Sequence, residues 1–268
     1  MDGFFTALAA ATNALLLLGG IYIYLSLVRQ INARGGGDTA TEKTFGLPDV
    51  FLGGALATLF ALNAATAGAQ AGKVVLSTAD LLANAAISLG LFVLVAAFLQ
   101  IRRINVSSLA GFTKLGFWRA TVTGGILLFA AYPLLFLADI ITQRVLGAPS
   151  TKQSIVELFN DSQTLQQRVI IIVLAVAIAP LVEEFVFRFY LYGMLRRYAG
   201  RLVGLVVNSI LFAAVHAHIP SAAPLFVLGA CFTLAYEWSG SILVAMTMHA
   251  LFNSLTLTAL AFPELLPQ

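Results

Sequence analysis

Residues 168–201 read RVIIIVLAVAIAPLVEEFVFRFYLYGMLRRYAGR, and this stretch decides the fold. Between its basic ends, every ionisable group is confined to Glu183, Glu184 and Arg188. A run of about 20 apolar residues, rising about 1.5 Å per residue, is long enough to cross a hydrocarbon core of about 30 Å as a helix. Each charge held at mid-membrane depth costs about 2.5–3.5 kcal/mol on insertion scales, so three on one span mark a functional region by default.

The rest of the chain repeats the pattern. Of 268 residues, 60% are apolar and only 10% charged, with a mean hydropathy of +0.93; soluble domains carry about 25% charged residues, which excludes an ordinary water-soluble domain. Apolar runs at 4–28, 49–67, 79–101, 118–142, 168–191, 202–217, 222–237 and 241–260 predict an all-α polytopic membrane helix bundle of about eight transmembrane helices. The sixth and seventh are short, and His218-Ile219-Pro220 between them suggests a tight helical hairpin. Residues 32–48, with three consecutive glycines, read as a loop, and residues 145–167 as a polar external segment with a short amphipathic helix. Met1 to Phe5 lacks the basic head of a signal peptide, so the first run is taken as a span.

The net charge of +3 does not point to nucleic acid, because the basic residues cluster at the ends of apolar runs. They follow the first run (Arg29, Arg34, Lys43), the third (Arg102, Arg103, Lys114, Arg119) and the fifth (Arg196, Arg197, Arg201). The positive-inside rule makes these loops cytoplasmic and places both termini outside, in the cytoplasmic membrane if the host is bacterial. A single cysteine, Cys231, rules out an intrachain disulfide.

Every mid-span ionisable residue falls in the second half. The chain therefore divides into an N-terminal part, residues 1–117, with about three spans, and a C-terminal part, residues 118–268, with about five spans and the candidate site. Residues four apart on a helix share a face, so Glu184 looks toward Arg188 as an ion pair, while Glu183, about 100° away, is left free to act as a general base. His249 and Asn253 on the eighth run are also four apart and project together. Phe212, one turn before His216, is placed to support its ring, and His218, nearly 200° away on a continued helix, is set aside. Pro180 predicts a kink that would admit water. Asp80 and Asp139 read as interfacial, and Asn63, Asn84 and Asn208 as packing groups. At about 1.5 Å per residue, Glu183 lies about 10 Å and His249 about 12 Å from the cytoplasmic side, whereas His216 comes out near 21 Å, a turn or two too deep. Taken singly, each group has a plainer reading: a register-fixing ion pair, a satisfied core histidine, an interhelical amide.

Together, Glu183-Glu184-(three residues)-Arg188, Phe212-(three residues)-His216 and His249-(three residues)-Asn253 resemble the CAAX protease and bacteriocin-processing family, which includes the type II CAAX prenyl endopeptidases. The resemblance covers about residues 120–260. It implies peptide-bond hydrolysis within the membrane, with Glu183 and His216 activating water, His249 and Asn253 forming an oxyanion hole, and Glu184, Arg188 and Phe212 in support. Its substrate would be a membrane-associated or lipid-modified protein, prenylated or not, and its other partner membrane lipid. The family is often labelled metalloprotease; a divalent ion such as Zn2+ would take Glu183, His216 and His249, although no HExxH pair is present. A metal-free glutamate mechanism is the preferred reading. Two alternatives remain: a non-catalytic bacteriocin immunity or scaffold protein of the same fold, and an ion-coupled transporter, against which stands the lack of an internal repeat.

Overall fold

A computed structural model describes residues 2–34, 45–69, 77–146, 159, 162 and 164–262. No strand occurs among them. Four long helices come first: α1 (Asp2–Ala33), α2 (Leu47–Ala69), α3 (Thr78–Ile101) and α4 (Phe117–Leu146), with one short turn of helix, Val106–Leu109, before the last. A long helical run, Leu165–Val215, follows. It is broken at Gly200, whose φ of 81° and ψ of 169° lie outside helical space and suit a residue without a Cβ, so it forms two helices, α5 (165–199) and α6 (201–215). The chain ends with α7 (Ala222–Ser239) and α8 (Ile242–Ala261). The expected loop at 32–48 and amphipathic helix at 145–167 fall largely outside the described residues.

Because most of the bundle surface meets lipid, large apolar side chains point outward along α1 to α4, among them Leu15, Leu62, Ile87 and Phe129. The inverse holds for α5: from Phe185 to Tyr192 every residue is buried, whichever way it points. A helix apolar all round belongs at the centre of a bundle. Its aromatic rings fix the neighbours: Phe187 stacks on Phe60 of α2 at 5.3 Å, Phe185 meets Phe92 of α3 at 4.7 Å, and Phe187 meets Phe212 of α6 edge-on at 5.5 Å. The Tyr190 hydroxyl donates to the Asp49 carbonyl at the start of α2, 3.0 Å away.

α4 lies on the far side, against α1, α7 and α8. The Tyr24 hydroxyl donates to the Leu127 carbonyl at 2.9 Å, and the Thr247 hydroxyl to the Ala120 carbonyl at 3.1 Å. Gly124 lets α4 and α8 approach closely, since a Cβ there would lie 2.5 Å from Thr247 Oγ1 and 3.1 Å from the Met248 nitrogen. Small residues at such crossings supply close packing where lipid gives helices no hydrophobic reason to associate.

Several of the described basic residues read as topology markers gather at one end of the bundle and have partners there. Glu237 of α7 takes Arg196 at 3.0 Å and Arg201 at 2.6 Å, and accepts from the Tyr192 hydroxyl. Arg201 also donates to Asn32 of α1 at 2.8 Å, Arg34 donates to the Trp238 carbonyl at 2.6 Å, and Arg102 pairs with the buried Asp49. At the other end, Ser77 and Asp80 cap α3 reciprocally, which agrees with an interfacial Asp80.

Gly124→Val should lower stability by about 1–3 kcal/mol through overpacking of α4 on α8. Thermal unfolding in detergent micelles would read this, and an unchanged midpoint would show that the crossing is not close.

Candidate active site

The site is built by two helical hairpins. Glu183 stands 17 residues before Gly200 and His216 stands 16 after it, so the two arms of α5 and α6, each about 25 Å, bring them to one level. This corrects the expected depth mismatch: the fifth helix does not stop at 191, and the reversal lies at Gly200. The second hairpin does the same for α7 and α8, with Phe232 eight residues before the turn at Gly240 and His249 nine after it.

Within this frame the two glutamates have separate surroundings. Glu184 is fully buried and its Oε1 is shared, 3.0 Å from Arg188 Nη1 and 2.8 Å from His249 Nδ1. The carboxylate therefore joins α5 to α8 as well as to its own helix, a partner that helix spacing could not reveal. Arg188, also fully buried, places its guanidinium carbon 4.1 Å from the Phe212 ring centre and 5.0 Å from that of Phe232. Stacking over ring faces partly replaces the hydration that a buried cation loses. Phe232 stacks in turn on His249, at 5.1 Å and 28°.

Glu183 points the other way, into a cavity of about 450 Å³ between α3, α5 and α8. Its Oε2 has no hydrogen-bond partner and lies 3.9 Å from His216 Nε2. His216 Nδ1 is 2.7 Å from the Phe212 carbonyl, which can only accept, so Nδ1 carries a proton and Nε2 is the ring nitrogen turned toward Glu183. The Phe212 ring is 4.8 Å from His216 and 5.9 Å from His249, so it touches both imidazoles. α6 ends at His216, where Ala217 takes a φ of 49°, a conformation that costs a residue with a Cβ and sets the side chain at the cavity edge. The helical-wheel reason for setting His218 aside fails because the helix has stopped; instead His218 Nδ1 pairs with Ser221 Oγ at 2.8 Å and faces a separate apolar groove.

His249 and Asn253 both line the cavity, but the Asn253 amide is already engaged, donating to the Ala175 carbonyl at 2.7 Å. Pro180 explains why that carbonyl is available. Just before this proline, α5 widens by one residue per turn over Leu174–Ile178, and the Ala179 N–H bonds the Leu174 carbonyl five residues back. In that register the next carbonyl, Ala175, would take its proton from residue 180, and proline has none. The Asn253 side chain fills the place. Among the described residues, no group of three or more His, Cys, Asp or Glu side chains is arranged to hold a metal ion, since Glu184 holds His249 by one nitrogen and Glu183 meets only His216.

Sequence reasoning missed Phe232, which carries no signal beyond being apolar. It also read Asn84 as a packing group, whereas Asn84 and Ser88 of α3 line the cavity. Their spacing of four on an otherwise apolar span was the available sign.

Residues 165–255, which include each of these motifs, match the family model described as type II CAAX prenyl endopeptidase Rce1-like. Through this segment the chain is similar to the CAAX protease family, over about a third of its length. It is also similar to the membrane-embedded CAAX protease MroQ of Staphylococcus aureus (strain USA300), 33% identical over 82 residues, which cover 28% of this chain and 33% of that protein. The match thus spans about a third of the curated relative's length. No solved structure matches the chain.

Asn253→Ala should leave the Ala175 carbonyl unpaired and cost about 1–3 kcal/mol, and adding Pro180→Ala should recover part of it by restoring a backbone N–H. Unfolding of the single and double variants in micelles tests this; a double variant no more stable than Asn253→Ala would refute the pairing.

Proposed function

We propose that this protein is an intramembrane endopeptidase that hydrolyses a peptide bond of a membrane-associated or lipid-modified protein, CAAX-type or related. The observation that carries the reading is the Glu183–His216 pair. Its separation of 3.9 Å is too long for a direct hydrogen bond and short enough for one water to touch both groups, and both face a cavity. The match of residues 165–255 to the type II CAAX prenyl endopeptidase family model supports the same chemistry.

In the proposed reaction Glu183 takes a proton from the water, with His216 Nε2 accepting the second hydrogen bond and orienting it. The hydroxide oxygen attacks the scissile carbonyl carbon, and the carbonyl electron pair moves to oxygen. His249, in its doubly protonated form, spends Nδ1–H on Glu184 and has Nε2–H left to donate to that oxyanion. Protonated Glu183, Glu184, Arg188, His249 and the oxyanion then sum to no net charge, which suits a site inside the bilayer. Collapse of the intermediate breaks the carbon–nitrogen bond, and the proton held by Glu183 passes to the leaving amine. The second amide hydrogen of Asn253 is available to the same oxyanion while the first holds Ala175.

The test uses the full chain in liposomes with a farnesylated CAAX-type peptide and its unlipidated counterpart. Wild type should cleave, and Glu183→Ala and His216→Ala should each lower the rate by about 10²–10⁴-fold. Preference for the farnesylated peptide would assign a prenylated substrate. Undiminished cleavage by Glu183→Ala would sink the mechanism.

A further inference from the structure

The cavity wall contains more polar groups than the reaction uses, and they differ in how they are satisfied. Ser221 is occupied by His218, Asn253 donates to Ala175, and the Thr256 hydroxyl donates to the Phe252 carbonyl at 2.9 Å. Asn84 and Ser88 are the exceptions. Both line the cavity from α3, yet neither side chain makes a hydrogen bond among the described residues. Ser88 does not even return its hydroxyl to the carbonyl four residues back, as Thr58, Thr66, Ser209 and Thr256 do in other spans.

An amide on a membrane helix normally finds a partner on a neighbour, because lipid offers none. Asn84 and Ser88 stand one helical turn apart on one face and line the same cavity as Glu183 and His216. Leu81 and Ala85 complete that face, so an otherwise apolar strip carries two hydrogen-bonding stations about 6 Å apart. A carboxamide offers a donor and an acceptor, and a hydroxyl does the same. Two such stations suit the alternating N–H and C=O groups of an extended chain, whose repeat is about 6.6 Å. The cavity volume, about 450 Å³, admits a short peptide segment and not a folded domain.

We infer that Asn84 and Ser88 bind the backbone of the substrate peptide and hold its scissile bond against Glu183. The inference rests on the protease reading and deepens it: α3, which lies outside the family-matched residues 165–255, supplies a substrate-positioning edge. The two residues bind through main-chain atoms, so they set the register of the peptide without selecting its side chains.

The experiment uses the full chain in liposomes and the farnesylated peptide named above. Asn84→Leu and Ser88→Ala should each raise KM about three- to tenfold with kcat within about twofold, the size of one lost hydrogen bond, and Asn84→Gln, which keeps the carboxamide, should retain part of the binding. An unchanged KM, or a loss confined to kcat, overturns the inference. A second arm measures Kd of the same peptide for Glu183→Ala protein, with and without Asn84→Leu, across a series in which one backbone N–H at a time is methylated. At one position methylation should weaken binding about three- to tenfold with Asn84 present and have no effect with Leu there, a pattern that a purely structural role for Asn84 would not produce. Asn84-dependent binding without any wild-type cleavage would sink the protease reading and leave this one standing. Cleavage with binding indifferent to Asn84, or no binding of the peptide to the Glu183→Ala protein, would overturn this one.

Discussion

The constraint on which the structure depends is the need to keep the Glu184 carboxylate inside a bundle that water barely reaches. A buried, unpaired carboxylate is prohibitively costly, and Glu184 is held by two cationic or donor groups from two helices, Arg188 one turn along α5 and His249 on α8. Each partner then needs its own support. Arg188 finds it in the ring faces of Phe212 and Phe232, and His249 in the face of Phe232. Four helices are thereby committed to one carboxylate, and their relative heights follow from it.

That commitment gives the two neighbouring glutamates different surroundings. Glu184 has no exposure and saturates the local positive charge; Glu183, one residue earlier, is about a quarter exposed to a cavity and faces His216. A reactive group in a membrane must be both reachable by water and prevented from relaxing into an ion pair. Here the second condition is met because Glu184 has already taken Arg188 and His249. The widened turns of α5 on either side of this pair add to the arrangement, since one exposes the Ala175 carbonyl that anchors Asn253 and the other carries the Arg188 segment.

Much of the fold was legible beforehand because lipid imposes simple rules. Span lengths follow bilayer thickness, so the eight expected runs coincide with eight helices to within a few residues, apart from the C-terminal end of α5. That end was misplaced because residues 192–199 are polar enough to resemble a loop, whereas Glu237 and the ends of α1 and α7 give Arg196 and Arg201 partners that allow the helix to continue. The Glu184–Arg188 pair was readable because helix periodicity is local. How the backbone around Pro180 is satisfied was not legible, because it takes a widened turn and a side chain from α8.

By itself, the sequence determined that this is a membrane helix bundle, that its mid-span ionisable residues lie in the second half, and which four-residue spacings put charged and polar groups on common faces. Those are properties of composition and of a single helix. Only the tertiary structure decided that His249 belongs to Glu184, that His216 stands level with Glu183, that Phe232 completes the box around Arg188, and that Asn84 and Ser88 of α3 face the same cavity. Each depends on the height and rotation of one helix against another, which are fixed by where the chain reverses, at Gly200 and Gly240, and by aromatic packing between segments far apart in sequence.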